Sequence, residues 1–336
     1  MSAEQRFSSI AVIGAGAWGT ALAQLCARNG IDTLIWARED EVANQINETG
    51  ENKIFLPGAV LDKRLKATSD LSQTGQAEAY LLVTPVQHSR PVLGQLCHFV
   101  KESAPIALCS KGVETATGLL MTEVLSTMCP GAQPAVLSGP SFAVDVASGL
   151  PTAVTLACAD KSMGRRWVES IGATHFRPYL SDDLVGAELG GAVKNVLAIA
   201  SGVVAGKALG ESARAALIAR GFAEFQRLGI ALGAKPQTMA GLSGLGDLIL
   251  TASSAQSRNM SLGIELGKGR ALSDVLGERN TVSEGVATAE AVRALATKAN
   301  VEMPVSAAVA DLVADRKSVD EVITQLLSRP FTTEMQ

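Results

Sequence analysis

Residues 9–19 read S-I-A-V-I-G-A-G-A-W-G, and an alanine-rich stretch from Thr20 to Asn29 follows. An apolar run, three glycines at 14, 16 and 19 and a helix-forming segment describe a strand, a tight turn and a helix. Gly14 permits the sharp turn, and Gly16 lets the backbone approach a pyrophosphate. Gly19 lets the helix pack on the strand, with the pyrophosphate over the helix N-terminus. In a chain with 32 glycines an ordinary tight turn is the competing reading. The strand before the motif and the helix after it favour a dinucleotide.

The second strand is expected at Thr33–Ala37, and its end bears on cofactor choice. An acid there would bind the ribose 2′-hydroxyl of NAD. The sequence instead runs Ala37, Arg38, Glu39, Asp40, and the guanidinium of Arg38 suits a 2′-phosphate. Glu39 keeps NAD open, and a solvated loop charge is the plain alternative for Arg38. Further apolar runs at 79–83, 106–109, 135–137 and 153–157 alternate with helical patterns such as 89–103 and 118–128. That alternation predicts a doubly wound, mainly parallel, Rossmann-like sheet over residues 1–180. In such a sheet the strands' carboxyl ends share one edge. Lys111 in S-K-G (110–112) and the segment G-P-S-F-A (139–143) therefore lie on the edge of the glycine turn, unless Lys111 is simply a solvated loop residue.

From Ser181 the period becomes helical, predicting an all-helical domain over 181–336. Asp182 and Asp183 are expected in the first turn of a helix that is apolar nearly all round. Lys194 is its one basic residue. Burial disfavours a charged amine unless it is paired or catalytic, and a snorkelling lysine at a domain rim is the alternative. Glycines at 241, 244 and 246 put Asp247 on a tight turn. Ser257-Arg258-Asn259 opens a further helix, either as a phosphate site or as a serine cap with a solvated arginine. Thr281 to Glu284 fits a capping box. His88, His98 and His175 have no ligand spacing, so no metal is expected.

The 336 residues are 47% hydrophobic and 4% aromatic, with a net charge of −4, which argues against a nucleic-acid partner. Five scattered cysteines, with no C-x-x-C, read as reduced and mostly buried thiols in a cytoplasmic protein. There is no secretion signal, and the apolar stretch 189–205 reads as a core helix rather than a membrane span.

These motifs together resemble the bacterial NAD(P)-dependent glycerol-3-phosphate dehydrogenases over essentially the whole length. They are G-A-G-A-W-G-T-A-L-A (14–23), S-K-G (110–112), S-G-P-S-F-A (138–143) and E-L-G-G-A-V-K-N-V (188–196). G-L-G-D-L (244–248), S-R-N (257–259) and V-S-E-G (282–285) complete the set. The resemblance implies interconversion of dihydroxyacetone phosphate and sn-glycerol 3-phosphate for phospholipid synthesis, with NADP preferred or NAD. It implies cofactor contacts from Gly14, Gly16, Ala17, Trp18, Gly19, Arg38, Lys111, Ala143, Arg258, Val282 and Glu284. Ala17 stands where relatives often have serine, which removes a hydroxyl. Substrate contacts would come from Lys111, Gly139, Ser141, Lys194, Asp247, Ser257, Arg258 and Asn259, with Lys194 the proton-transfer residue and Lys111 beside it. The sequence leaves the oligomeric state open, with a homodimer as one option. A β-hydroxyacid dehydrogenase and a non-catalytic NADP-binding sensor are the alternatives; a phosphate-like site disfavours the first, and a lysine in an apolar helix the second.

Overall fold

A computed structural model describes residues 6–278, 284–331 and 333. Eight strands form one sheet: β1 (Ser9–Ile13), β2 (Asp32–Trp36), β3 (Lys66–Thr68), β4 (Ala79–Leu82), β5 (Pro105–Leu108), β6 (Gln133–Ser138), β7 (Thr152–Ala157) and β8 (Phe176–Ser181). Their order is β3-β2-β1-β4-β5-β6-β7-β8, and every pairing is parallel except β6 with β7. The order reverses direction at β1, so the glycine turn lies at the switch point of the sheet. Between β6 and β7 the chain forms only a five-residue helix, too short for a crossover helix, and β7 turns back antiparallel.

The helices within and beside this sheet are α1 (Ala17–Arg28), α2 (Asp40–Thr49), α3 (Val86–Leu96), α4 (Met121–Met128), α5 (Ala143–Ala147) and α6 (Lys161–Ile171). Strand residues alternate between two cores, as a period of two requires. Ile10, Val12, Ile35 and Leu81 pack in one with α1. Ala11, Ile13, Leu82 and Ile106 pack in the other with α3 and α4. Two strands escaped the sequence pattern. β3 is three residues long, and β8 is an exposed edge strand carrying Arg177 and Pro178, a composition an edge tolerates. α3 begins at Val86 rather than Ser89, because Pro85 holds the N-cap with its fixed φ.

The remaining helices are α7 (Leu184–Gly206), α8 (Glu211–Ala231), α9 (Pro236–Met239), α10 (Asp247–Ser253), α11 (Arg258–Gly267), α12 (Leu272–Gly277), α13 (Glu284–Lys298), α14 (Pro304–Val313) and α15 (Val319–Leu327). Contacts divide the chain into two compact units that are not contiguous halves. One holds residues 1–114, 119–191 and 234–247, and the other holds 115–118, 192–233 and 248–336. α7 is long and apolar enough to cross a membrane, but 89% of that window is buried inside the protein, as expected of a core helix. Asp183 precedes α7 instead of sitting in its first turn. Its Oδ1 accepts from Gly186 N (2.8 Å) and its Oδ2 from Lys235 N (2.7 Å).

The expectation of five reduced thiols is corrected. Cys97, just after α3, and Cys129, just after α4, form a disulfide with Cα atoms 5.7 Å apart, while Cys26, Cys109 and Cys158 are free and buried. The pair is 32 residues apart in sequence, so no local motif marks it. Helix packing brings it together.

Two buried glutamates cap helices other than their own. Glu188 of α7 accepts from Thr122 N (2.9 Å) and Oγ1 (2.6 Å) at the start of α4. Glu224 of α8 accepts from Val305 N (2.7 Å), Ser306 N (3.1 Å) and Ser306 Oγ (3.2 Å) at the start of α14. Each offsets unsatisfied N–H groups of a first turn. Burial pushes both carboxyls up to about 7, against these hydrogen bonds, which favour the charged form. Between the unfolded value of 4.5 and about 7 the folded chain keeps a proton that the unfolded chain has released, so stability falls as pH rises through that window. Urea unfolding of the Glu224→Gln variant should therefore show a stability drop from pH 5 to 7.5 smaller than that of the parent by about 2 kcal/mol. An identical drop in both proteins would mean that Glu224 is ionised throughout.

Candidate active site

The turn after β1 has the geometry of an anion cradle. Gly14 has φ +118°, in the region that favours glycine. A Cβ on Gly19 would stand 1.8 Å from the Gly14 carbonyl oxygen, so helix and turn touch backbone to backbone there. A Cβ on Gly16, by contrast, would meet nothing within 4 Å. No side chain caps α1, and no acid occupies its first turn, so its leading N–H groups face this open space with the helix dipole behind them. Trp18 Nε1, one residue into α1, is buried without a hydrogen-bond partner among the described residues. Ala17 opens the helix. These features fit the pyrophosphate of a dinucleotide. Arg38 is exposed immediately beyond β2 and makes no ion pair among the described residues. Ala143 opens α5.

Along the same sheet edge, Lys111 follows β5 and Gly139 follows β6. Lys111 Nζ donates to Asp247 Oδ2 (2.8 Å) and to the Gly139 carbonyl (3.0 Å), which also accepts from Ser141 Oγ (3.0 Å). The two charged side chains are 13% and 1% exposed. Asp247 opens α10 after a π-helical turn, Leu242–Gly246. The structure thus brings Lys111, Gly139, Ser141 and Asp247 together within one unit, from segments up to 136 residues apart. Gly191 of α7 packs there too, a Cβ on it falling 3.0 Å from Lys111 Cγ.

In the other unit, Lys194 and Asn195 are buried in α7. Asn259 Nδ2 donates to Asn195 Oδ1 (2.9 Å), and Asn259 Oδ1 accepts from Gly285 N (3.1 Å), so this amide links α7, α11 and α13. Ser257 caps α11, its Oγ accepting from Met260 N (3.3 Å), and Arg258 stands exposed as the first helical residue. Glu284 opens α13. Val282, and with it most of the expected capping box, lies outside the described residues. Sequence reasoning missed Asn195, whose Nδ2 is buried without a partner among the described residues, and the similarly orphaned Ser138 and Ser243 hydroxyls. The one available signal was that Asn195 adjoins Lys194.

The contrast between Gly16 and Gly19 can be tested. Gly16→Val should fold with a near-parental Tm, because Gly16 has extended angles (φ −67°, ψ −180°) and open space beside it. It should bind NADPH on the order of 100-fold more weakly or worse, two charge-assisted hydrogen bonds being worth about 1.5–3 kcal/mol each. Gly19→Ala should fail in folding itself. Fluorescence titration with NADPH and thermal melts read both; unchanged binding in Gly16→Val would move the pyrophosphate elsewhere.

Comparison with known proteins agrees with this geometry. Residues 9–164 match the family model for the NAD-dependent glycerol-3-phosphate dehydrogenase N-terminus, and residues 183–324 match that for its C-terminus. The chain is 58% identical over 328 residues to a protein of Parvibaculum lavamentivorans named glycerol-3-phosphate dehydrogenase [NAD(P)+], covering 98% of each. It is 54% identical, with the same coverage, to a protein of that name from Maricaulis maris. Among solved structures it resembles the glycerol-3-phosphate dehydrogenase of Coxiella burnetii, with TM-score 0.92, 36% identity and coverage of 97% of this chain and 100% of that one. A D-mandelate dehydrogenase with TM-score 0.65 and 14% identity shares the fold alone, covering 94% of this chain and 99% of its own. The chain belongs to the NAD-dependent glycerol-3-phosphate dehydrogenase family.

Proposed function

We propose that this protein reversibly reduces dihydroxyacetone phosphate to sn-glycerol 3-phosphate in the cytoplasm, providing the glycerol backbone of phospholipids. The observation that carries this reading is 58% identity, across 98% of both chains, to a relative bearing that activity in its name. Residues 1–180 hold the dinucleotide, with NADP preferred over NAD, and residues 181–336 supply the acid and most phosphate contacts. The bound nicotinamide supplies the hydride to C2 of the substrate.

The chain's own residues have separate tasks. Lys194, as ammonium, donates a proton to the C2 oxygen as alkoxide character develops, and as amine it takes the proton back in reverse. The burial of Lys194 in an otherwise apolar stretch of α7 supports this role. Lys111, oriented by Asp247 and the Gly139 carbonyl, stabilises negative charge on the substrate. Ser141 and Gly139 border it. Arg258, Asn259 and the α11 N-terminus hold the phosphate, with Ser257 shaping that first turn. The family resemblance assigns further cofactor contacts to Ala143, Arg258, Val282 and Glu284. A homodimer is one option for the assembly.

Two measurements test the reading. Lys194→Met keeps much of the volume and removes the proton. It should fold, bind NADPH nearly normally and lose on the order of 10²–10⁴ in kcat. A near-parental kcat would exclude Lys194 as the acid. For cofactor choice, turnover with NADPH should at least equal turnover with NADH. Arg38→Asp should raise KM for NADPH far more than for NADH, because it replaces the guanidinium facing a 2′-phosphate with an acid suited to a 2′-hydroxyl. Equal changes in both constants would show that Arg38 does not read the phosphate.

A further inference from the structure

Lys111 sits in a segment, residues 109–120, that has neither helix nor strand. A lysine side chain has four rotatable bonds and forfeits that freedom when held at one carboxylate, so the backbone beneath it must be fixed first. Ser110 Oγ donates to the Thr84 carbonyl (2.5 Å) on the strand side. Two further side-chain ties come from α3. Gln87 Nε2 donates to the Val113 carbonyl (2.9 Å), and one turn on, Arg90 makes a two-pronged contact with Glu114, Nε to Oε1 (2.8 Å) and Nη2 to Oε2 (2.7 Å). Gln87 and Arg90 share one face of α3 by their i, i+3 spacing.

The forked geometry fixes direction as well as distance, which a single-point contact cannot do. Glu114 is 6% exposed, and the guanidinium offsets part of the cost of burying its carboxylate. Loss of Arg90 would remove the fork that sets the direction of the Glu114 carboxylate relative to α3. Glu114 lies only three residues from Lys111.

We propose that Arg90, acting through Glu114, is a positioning residue for Lys111: the ion pair holds residues 110–114 on α3 so that the lysine amine stays on Asp247 and the Gly139 carbonyl. This rests on the reading that Lys111 acts on the substrate. Arg90 itself touches neither substrate nor cofactor in this account.

The test follows NADPH oxidation with dihydroxyacetone phosphate in Arg90→Met, Arg90→Lys, Lys111→Met, the double variant Arg90→Met/Lys111→Met and the neutral pair Arg90→Met/Glu114→Gln. Arg90→Met should lower kcat/KM by about 10- to 100-fold, as expected of a misplacement on the scale of an ångström. Arg90→Lys, which keeps the charge but loses the fork, should fall in between, and it stands in if Arg90→Met does not fold. The neutral pair should recover the Tm lost in Arg90→Met but not the activity. Added to Lys111→Met, Arg90→Met or Arg90→Lys should cost little more, because both changes act through one amine. Activity that returns with Tm, or an Arg90 effect that simply adds to that of Lys111, would overturn the proposal. Parental activity in Lys111→Met would instead overturn the role assigned to Lys111.

Discussion

The ion pair between Lys111 and Asp247 organises the strand-end edge of the sheet-bearing unit. Both side chains are nearly buried, and an amine or carboxylate removed from water is tolerable only when its partner is in place. Each therefore fixes the other. The pair draws residues 234–247 back to the unit of the sheet, although the chain has by then passed through two long helices. It also ties the segment after β5 to the carbonyl after β6, where Gly139 accepts from both Lys111 and Ser141. At Gly191, α7 passes close over the lysine stem, where a Cβ would stand 3.0 Å from Lys111 Cγ.

The same constraint recurs at three other buried charges, met differently each time. Glu114 has an arginine fork. Glu188 and Glu224 instead accept from the open first turns of α4 and α14 and form no ion pair among the described residues. An ion pair leaves both members charged, whereas a carboxylate held by amides and a hydroxyl still bears most of its desolvation cost. That difference is why the two capping glutamates are raised to about 7. These two acids also bind distant segments: Glu188 joins α7 to α4, and Glu224 joins α8 to α14.

The glycine turn shows a further division of labour within six residues. Gly19 serves the fold, because helix and turn touch backbone to backbone. Gly16 leaves open space, with no atom of the described residues within 4 Å of where a Cβ would stand. The motif fits a dinucleotide because these two requirements alternate along one turn.

Sequence alone determined the β1–turn–α1 unit, the alternation that builds the sheet, the strand ends carrying Lys111 and Gly139, and the buried helix carrying Lys194. All are local patterns, set by periodicity, glycine placement and the length of apolar runs. Family resemblance added cofactor contacts at Ala143, Arg258 and Glu284. Tertiary structure alone decided the antiparallel turn at β7, the edge strands β3 and β8, and the disulfide between Cys97 and Cys129. It alone decided which acid meets Lys111, which arginine meets Glu114, and that Asn195 meets Asn259. The physical reason is range: a lysine in the sequence shows that a charge must be satisfied, but its partner lies 136 residues away and is chosen by how the chain packs.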